Sequence, residues 1–273
     1  MRLLLGQLAP VRADVDRNLA RLEAAVRTVR SDLAVFPELF VSGYALGDRV
    51  HGLALHEGDR SMETLRRVAR ETETSIVVGA PVVRGERRGE VENAALLVDP
   101  AGTVSSQPKR HLPNFGPFEE GLVYTPTDAS HPVEVRGHRV GLEICYDAFF
   151  PEVARDLALA GAEMIVNISA APVTSRRLFE KLFPARAVEN ACPVVYVNRV
   201  GVEDGFVFGG GTGAWDARGE PLELETVPWA AASPDERVST VEVDLAAAAR
   251  WRPFRPVLRD AATRPGRRSP PAP

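Results

Sequence analysis

The sequence predicts an α/β protein in which a mixed sheet system is covered by helices. Short apolar runs of strand length alternate with amphipathic helical patterns, and tight-turn sequences join some of these runs as hairpins. The composition, with 45% hydrophobic and 26% charged residues among 273, is ordinary for a globular protein with one large core or two small ones. We therefore predict a single domain over residues 1–260 and a disordered Arg/Pro-rich tail over residues 261–273.

The predicted elements of the N-terminal half follow from the spacing of apolar residues and the positions of caps and turns. Apolar steps of three and four residues predict the helices, and an Asp-Pro-Ala-Gly turn at residues 99–102 predicts a hairpin. In order, the elements are a strand at residues 3–8, a helix capped by Asp16, a strand at 33–36 ended by Pro37, a helix capped by Ser61, a strand at 75–80, and a hairpin of 94–98 with Val104.

The C-terminal half continues this alternation. Pro151, a favourable first helical residue, opens a helix after the strand that begins at Val140. A helix over residues 176–190 is expected to be interrupted or restarted near Pro184. The remaining elements are a strand at 163–169, a strand at 194–197, a hairpin around the turn 216–219, a strand at 238–243 and a helix at 245–250.

Charge and cysteine content narrow the possible partners. The net charge is −4, but the segment from Arg250 onward holds seven Arg and one Asp, so it carries +6 and the remainder −10. Such a tail could contact nucleic acid or acidic lipid, but it lacks apolar residues able to pack, and we predict neither a nucleic-acid nor a membrane partner.

Cys145 and Cys192 cannot form a disulfide framework, which suits a reducing, cytoplasmic compartment. The first apolar run is too short for a signal peptide.

We predict no cofactor and no metal. The glycine run at residues 209–213 lacks the GK[ST] ending of a phosphate-binding loop and does not give GxGxxG before a helix. The sequence contains neither an HExxH motif nor the paired Cys/His spacing of a zinc site, and its five histidines are scattered.

Cys145 stands between the strand that begins at Val140 and the helix opened by Pro151. Backbone N–H groups and the helix dipole at such a position favour a thiolate, the reactive form of cysteine. A buried core thiol is the alternative, because free cysteines are among the most buried residues. Glu143, two residues earlier, either faces the same site or is paired structurally. Asp147 is expected to cap the helical region that follows.

Three further charged residues stand where apolar segments end: Glu38, Lys109 and Glu120. Taken singly, each is most simply a solvated charge. They matter chemically only if the fold gathers them around Cys145, and spacing alone does not establish that. A Cys–His pair that uses His111 or His138 is a rival way to activate the thiol, although neither histidine lies in a protease-like sequence.

Three blocks of sequence resemble the signature blocks of the nitrilase, or carbon–nitrogen hydrolase, superfamily. They are Phe-Pro-Glu-Leu-Phe-Val-Ser-Gly-Tyr at residues 36–44, Lys-x-His-Leu at 109–112 with Glu120, and Ile-Cys-Tyr-Asp at 144–147 with Phe-Pro-Glu at 150–152. Shorter matches occur at residues 167–170, 187–190, 198–201 and 208–211. The resemblance therefore runs in the expected order from residue 5 to about residue 245.

The resemblance implies a four-layer αββα sandwich with a cysteine hydrolase site. On this chain Cys145 would be the nucleophile and Glu38 the general base. Lys109 would stabilise the oxyanion together with the backbone N–H of Tyr146. Glu120, rather than the glutamate before it, would be the second glutamate, because its distance from Lys109 matches the family block. The implied reaction is acylation of the cysteine with release of ammonia or amine, followed by hydrolysis of the thioester, with no cofactor or metal.

The residues after the nucleophile indicate an amidase-type branch. Tyr146 and Asp147 follow Cys145 as in amidases of the family, whereas nitrilases usually have Trp-Glu there. Residues 112–120 and 200–208 are most similar to the glutaminase domain of glutamine-dependent NAD synthetase, although no ATP-binding synthetase domain follows. We expect a free-standing amidase. The alternatives are a nitrilase, an N-carbamoyl amidohydrolase, a glutaminase-like subunit that supplies ammonia to a partner, and an inactive scaffold of the same fold.

The expected substrate pocket contains Tyr44, Phe115, Phe149 and Ala170. Many ω-amidase-like members have Arg where Phe149 stands. This difference disfavours a carboxylate-bearing ω-amide and favours an apolar or aromatic lining. The expected partners are a small-molecule amide and, as the resemblance implies, further copies of the chain in a homodimer or larger homo-oligomer.

Overall fold

The structure, a computed structural model, describes residues 1–84 and 89–263. Within these residues the strands are β1 (Arg2–Gln7), β2 (Leu33–Val35), β3 (Ser75–Arg84), β4 (Glu90–Val98), β5 (Val104–Pro108), β6 (Val133–Val135), β7 (His138–Ile144), β8 (Met164–Ser169), β9 (Val194–Asn198), β10 (Val200–Glu203), β11 (Phe206–Gly209), β12 (Gly213–Trp215), β13 (Glu225–Val227) and β14 (Arg237–Glu242). The helices are α1 (Val15–Val26), α2 (Arg60–Thr72), α3 (Pro151–Leu159), α4 (Arg176–Asn190), α5 (Leu245–Trp251) and α6 (Val257–Ala262). Every predicted strand and helix is present, and sequence reasoning missed the short elements β6, β10, β11, β13 and α6.

In this described part of the chain, the strands form two sheets and a separate β10–β11 hairpin. The larger sheet has the order β13-β14-β1-β2-β3-β4-β5, with β1, β2 and β3 parallel and its other neighbours antiparallel. The smaller sheet has the order β12-β9-β8-β7-β6, with β7, β8 and β9 parallel and both outer pairs antiparallel. Each sheet therefore has a parallel centre, and ligand sites form beyond the carboxyl ends of such strands.

Alternate residues along the strands face opposite layers. On β1, Leu4 packs with α1 and α2, whereas Leu3 and Leu5 pack against the smaller sheet. On β9, Val195 faces the larger sheet and Tyr196 packs against α4. The layers are therefore α1 and α2, the larger sheet, the smaller sheet, then α3 and α4. This order confirms the predicted four-layer αββα sandwich.

Two helix caps differ from the prediction. The cap of α1 is Asp14, whose Oδ1 accepts a hydrogen bond from Arg17 N at 3.1 Å, and Asp16 lies in the first turn. The residue before α2 is Asp59, so Ser61 lies inside that helix. The cap is the residue whose backbone leaves the helical region, and neighbouring Asp and Ser residues have similar capping propensity.

The helix α4 runs without interruption, although Pro184 lies inside it. A proline removes one helical hydrogen bond and usually kinks a helix, which is why the sequence indicated a break. Phe179 and Phe183 of this helix are buried against the smaller sheet. We attribute the continuity of α4 to this packing, because burial of two aromatic side chains outweighs one lost hydrogen bond.

The predicted tail falls mostly outside the described residues. The helix α6 extends through Ala262, so the first two residues of the predicted tail are helical, and residues 264–273 lie outside the described part. The single-domain assignment stays a prediction. Among the helices of residues 1–84 and 89–263, none combines the length and apolar character needed to cross a membrane.

A close backbone approach joins β3 to the segment that follows β2. Gly79 N donates a hydrogen bond to Pro37 O at 3.0 Å, and Val41 N donates to Gly79 O at 3.1 Å. A Cβ atom on Gly79 would lie 2.3 Å from Leu39 N and 2.5 Å from Glu38 Cα. Only glycine permits this approach, and the approach fixes the backbone at Glu38.

We expect Gly79→Ala to lower the free energy of unfolding by about 3 kcal/mol or more, because the new methyl group meets backbone atoms that cannot rotate away. Gly58→Ala is the matched control, since a Cβ at Gly58 meets no atom within 4 Å. Chemical denaturation of both variants checks the expectation. Equal stabilities for the two variants would show that the β3 crossing tolerates a side chain.

Candidate active site

A lysine ammonium is buried between two carboxylates beyond the end of β5. Lys109 Nζ donates hydrogen bonds to Glu38 Oε1 at 2.6 Å and to Glu120 Oε1 and Oε2 at 2.8 and 2.9 Å. The side chains of Lys109 and Glu38 are fully buried, and that of Glu120 is 4% exposed. The neighbouring Glu119 is exposed. The fold thus gathers three of the predicted site residues from distant parts of the sequence.

Further donors hold the two carboxylates in place. Asn93 Nδ2 donates to Glu38 Oε1 at 2.7 Å, and Ala170 N donates to Glu38 Oε2 at 2.7 Å. The Tyr44 hydroxyl donates to Glu120 Oε1 at 2.6 Å. The backbone carbonyl oxygen of Asn93 also accepts a hydrogen bond from Lys109 N at 2.8 Å, so β4 positions both the lysine and its carboxylate partner.

The three charges affect one another strongly. Burial opposes the charged form of Lys109, but the carboxylates of Glu120 and Glu38 outweigh it and raise the pKa of the ammonium well above its usual value. Burial raises the pKa of Glu120 to about 7, against the opposing effect of Lys109. The lysine is therefore charged at neutral pH, and its hydrogen bonds to Glu120 Oε1 and Oε2 oppose protonation of that carboxylate.

Cys145 lies directly after β7 and begins a 3₁₀ turn over Cys145–Phe149. Its backbone has φ of +46°, a left-handed conformation that is uncommon for a residue with a side chain. The side chain is partly buried and contacts the cores on both sides of the smaller sheet. The charges of Glu38, Lys109 and Glu120 all act on its thiol, so all four predicted catalytic residues belong to one electrostatic cluster.

The expectation of a stabilised thiolate is wrong. Burial, and then the negative charge of Glu38, raise the pKa of the Cys145 thiol well above its usual value, and the opposing effect of Lys109 does not compensate. The expected contribution of the helix dipole is absent because the 3₁₀ turn separates Cys145 from α3, which begins at Pro151. The sulfur is therefore a neutral thiol at neutral pH and needs a base to react.

Asp147 does not cap the helix that follows. Its Oδ1 accepts the backbone N–H of His111 at 2.9 Å, and its Oδ2 accepts that of Ile144 at 3.2 Å. Asp147 therefore joins the turn of the cysteine to the segment that follows Lys109. This connection fixes the position of the ammonium relative to the sulfur.

Both histidines considered as rival bases make ring contacts with other carboxylates. His111 Nδ1 lies 3.0 Å from Asp147 Oδ1, and its ring stacks on Phe150 with centroids 3.6 Å apart. His138 Nδ1 lies 3.2 Å from Glu163 Oε2.

In the described part of the chain, we find no group of three or more His, Cys, Asp or Glu side chains placed to hold a metal ion.

The predicted pocket residues occupy different positions. Tyr44 and Phe149 are half-buried, Phe115 is 53% exposed, and Ala170 is buried. Ala170 contributes its backbone N–H to Glu38, as described above. Phe149 packs on Phe179 of α4 with ring centroids 5.3 Å apart, so part of its ring belongs to the core.

Sequence reasoning missed a polar group beside Cys145. The Ser169 hydroxyl donates to Asn167 Oδ1 at 2.8 Å and acts to lower the pKa of the Cys145 thiol, against the larger effect of burial. Asn167 Nδ2 in turn donates to Glu143 Oε1 at 3.2 Å. Glu143 is thus paired structurally, as one of the two interpretations held. The motif at residues 167–170 marked this segment, but only the register of β7 with β8 places it beside the cysteine.

Another buried carboxylate, that of Glu203, holds the loop after Gly43. Glu203 Oε1 accepts the backbone N–H groups of Tyr44 and Ala45 at 2.8 and 2.7 Å, and Glu203 Oε2 accepts from Arg199 Nη1 at 2.6 Å. The Arg199 guanidinium lies over the ring of Phe208, 4.0 Å from its centroid. This clamp orients Tyr44, and through its hydroxyl the second glutamate of the cluster.

Comparisons with known proteins agree with the motif blocks. A family model described as carbon-nitrogen hydrolase matches residues 3–253. The chain is 36% identical over 248 residues to an (R)-stereoselective amidase of a Pseudomonas species, covering 90% of this chain and 85% of that protein. It is 31% identical over 254 residues to the glutamine-dependent NAD(+) synthetase of Thermotoga maritima, covering 90% of this chain but 42% of the synthetase.

A solved structure of a nitrilase-superfamily protein has the same fold as this chain. The amidase of Nesterenkonia AN1, from the nitrilase superfamily and solved as a cysteine-to-alanine mutant, superposes with a TM-score of 0.79 at 27% identity. The superposition covers 95% of this chain and 93% of that one. The arrangement of sheets and helices is therefore shared over almost the whole length of both proteins.

We expect Glu143→Gln to change how stability depends on pH. Burial, reinforced by Asp147, raises the pKa of Glu143 to about 7 from 4.5, while Arg186 opposes the shift and Glu189 adds to it. The folded protein therefore holds a proton that the unfolded chain releases, so this contribution to stability is lost as pH rises from about 4.5 to 7. Between pH 5.5 and 8, we expect wild type to lose about 2 kcal/mol that the variant retains.

Denaturant unfolding at the two pH values measures this difference. Glu134→Gln, which changes an exposed glutamate of the neighbouring strand β6, is the control and should follow wild type. Parallel pH profiles for wild type and Glu143→Gln would contradict the assignment of a protonated carboxyl at this position.

Proposed function

Because the chain belongs to the carbon–nitrogen hydrolase family, we propose that it is a cysteine-dependent amidase that hydrolyses a non-peptide carbon–nitrogen bond of a small amide through a thioester acyl-enzyme. The observation that supports this proposal most directly is the Lys109 ammonium, buried between Glu38 and Glu120 with its charge acting on the Cys145 thiol. This cluster contains a nucleophile, a base and a fixed positive charge, which are the groups that amide hydrolysis requires.

The first step in our proposal is acylation. The Cys145 sulfur attacks the carbonyl carbon of the amide while the thiol proton moves to Glu38. Glu38 Oε2 has a free lone pair for this proton, because Ala170 N is its one protein donor among the described residues. The carbonyl oxygen becomes an oxyanion, which the ammonium of Lys109 and the backbone N–H of Tyr146 stabilise.

Collapse of this intermediate breaks the carbon–nitrogen bond. Glu38 returns its proton to the departing nitrogen, so ammonia or an amine leaves and a thioester remains on the cysteine. Water then attacks the thioester carbonyl and gives a proton to Glu38. The carboxylic acid departs as the proton returns to the sulfur, and the thiol is regenerated.

Glu120 acts on this chemistry through Lys109. Two carboxylates keep the ammonium charged although it is fully buried, and the Tyr44 hydroxyl holds Glu120 against it. A positive charge fixed in this way needs no reorganisation when the oxyanion forms. We therefore assign Glu120 a positioning role and reserve proton transfer for Glu38.

The homo-oligomeric assembly, the cytoplasmic location and the absence of a cofactor stay predictions. Cys145 and Cys192 are both free thiols, which accords with a reducing compartment. The similarity to NAD(+) synthetase keeps a glutaminase-like subunit as the second candidate function, and the test below separates the two.

Ammonia release from a panel of amides, nitriles, carbamoyl compounds and glutamine tests the proposed activity. We expect turnover of simple amides, and we expect Cys145→Ala to abolish it while the protein stays folded. Glu38→Gln should lower kcat by about a hundredfold or more, since general base catalysis contributes that much. Hydrolysis of nitriles alone, or of glutamine alone, would replace the amidase assignment with the corresponding alternative.

We expect Glu38→Gln to separate thiol reactivity from turnover. The negative charge of Glu38 raises the pKa of Cys145, so the variant should reach its half-maximal rate of alkylation by iodoacetamide at a lower pH than wild type. Turnover should nevertheless be lost, because no group returns the proton to the leaving nitrogen. Mass spectrometry of the alkylated peptides measures the rates.

Cys192 is the internal control for this experiment. It is fully buried, and burial raises its pKa to about 12, so it should stay unlabelled in the folded protein. An alkylation midpoint that moves upward in Glu38→Gln would mean that Glu38 activates the resting thiol rather than holding it neutral.

A further inference from the structure

Aromatic rings form a continuous arc beside the catalytic cluster. We define the aromatic arc as five residues whose neighbouring ring centroids lie 5.3 to 6.4 Å apart: Tyr146, Phe115, Phe118, Tyr44 and Phe206. The rings meet at tilted or edge-on angles, which are the favoured geometries for aromatic pairs. Sequence reasoning placed Tyr44 and Phe115 in the pocket but missed Phe118 and Phe206.

Two members of the aromatic arc adjoin the catalytic cluster. Tyr146 directly follows the nucleophile, and the Tyr44 hydroxyl donates to Glu120 at 2.6 Å. Phe115 and Phe118 close the distance between these two points. The rings are therefore placed to contact the acyl group of an amide whose carbonyl carbon lies at the Cys145 sulfur.

The rings are incompletely covered by the protein. Phe115 is 53% exposed, and the other four members of the aromatic arc are half-buried. Exposed aromatic surface next to a reactive group typically marks a binding site, because such rings gain from covering by an apolar ligand. Among the described residues, Phe115 is one of only two phenylalanines that are strongly exposed, the other being Phe254 near the end of the described chain.

The charges around the aromatic arc do not suit a carboxylate on the substrate. A cavity of about 440 Å³ adjoins the arc, shares Tyr44 and Phe206 with it and is also lined by Glu120. Three more acidic residues line this cavity: Asp48, Glu119 and Asp204. In the described part of the chain, the cation of its lining is Arg12, which lies 3.8 Å from Asp204 Oδ1.

Two buried cations, one in the catalytic cluster and one beside it, also form ion pairs with glutamates. Lys109 is held by Glu38 and Glu120, and Arg199 donates to Glu203 and lies over Phe208. An anionic acyl group would therefore meet rings and acidic side chains without a free partner. Burial of a carboxylate without a charged or hydrogen-bonding partner is unfavourable enough to decide substrate choice.

Resting on the proposed amidase activity, we infer that the substrate is a primary amide whose acyl group is uncharged and bears an aromatic ring or a bulky apolar group. The aromatic arc binds that group, and the acidic surroundings exclude acyl groups with a carboxylate, glutamine and ω-amides of dicarboxylic acids included. The arc thus determines specificity, while the Glu38, Lys109 and Cys145 cluster performs the hydrolysis.

Three amides that share a CH2–CH2–CONH2 unit and differ in the group at its end test the inference. We expect kcat/KM for 3-phenylpropanamide to exceed that for butyramide about tenfold or more, through burial of the ring against the arc. Succinamate, which carries a carboxylate in place of the ring, should be hydrolysed at least a hundredfold less efficiently than 3-phenylpropanamide. Hydrolysis of succinamate or glutamine at the same efficiency as 3-phenylpropanamide would overturn the inference and leave the amidase activity intact.

Variants of the arc localise the effect. Phe118→Ala and Phe115→Ala should each lower kcat/KM for 3-phenylpropanamide about tenfold and change that for butyramide less than threefold. Val202→Ala, which alters a 71% exposed apolar residue outside the arc, is the matched control. Phe115 is sufficiently exposed for its truncation to leave the fold intact, so the test does not depend on the stability of Phe118→Ala. Equal losses for both amides would assign these rings a structural role.

Binding to Cys145→Ala separates failure of the inference from failure of the proposed function. Calorimetry should detect 3-phenylpropanamide binding more tightly than succinamate to this inactive variant. The absence of that preference would overturn the inference whatever the turnover. The preference without any amide turnover by wild type would overturn the amidase proposal and leave the binding specificity standing.

Discussion

The site depends on keeping one ammonium group charged where water is excluded. Burial of an isolated ammonium costs several kcal/mol, and the cost is offset only when well-placed acceptors surround it. Glu38 and Glu120 supply three such oxygens within 2.9 Å of Lys109 Nζ. The carboxylates need donors in turn, which come from Asn93, Ala170 and Tyr44. Because hydrogen bonds have narrow distance limits, these contacts fix the segments after β2 and β5 relative to each other, and Glu38 adds the segment after β8 through Ala170.

The same charges set the state of the nucleophile. Two carboxylates and burial outweigh one ammonium at the Cys145 sulfur, so the resting thiol is neutral. A neutral thiol is less open to oxidation and alkylation than a thiolate, because the thiolate is the reactive form. In the mechanism we propose, reaction requires proton transfer at the moment of attack, which couples the reactivity of the sulfur to the presence of a substrate carbonyl. The left-handed backbone of Cys145 and the hydrogen bonds that Asp147 accepts from Ile144 N and His111 N fix the turn that carries the sulfur.

The elements were predictable where local pattern decides them. Leu19 and Leu22 on α1, and Met62 and Leu65 on α2, are buried as their three-residue spacing indicates. The apolar run of β1 predicted a strand, but not that its two faces meet different layers, since both faces are apolar. The cap at Asp14 escaped prediction because neighbouring residues have similar capping propensity. The continuity of α4 through Pro184 escaped prediction because it depends on packing against residues distant in the sequence.

The sequence by itself determined the family and the αββα layers, and it singled out Glu38, Lys109, Glu120 and Cys145 as candidate site residues, because motif blocks specify residue types in order. Only the tertiary structure decided the protonation of the thiol, the hydrogen bond from Asn93 to Glu38, the position of Ser169 and the aromatic arc. Charge effects depend on distance and burial, which spacing along the chain does not encode. The rings of Phe118 and Phe206 become neighbours of Tyr44 only when the β10–β11 hairpin, the loop after Gly43 and the segment around Glu120 meet in the folded chain.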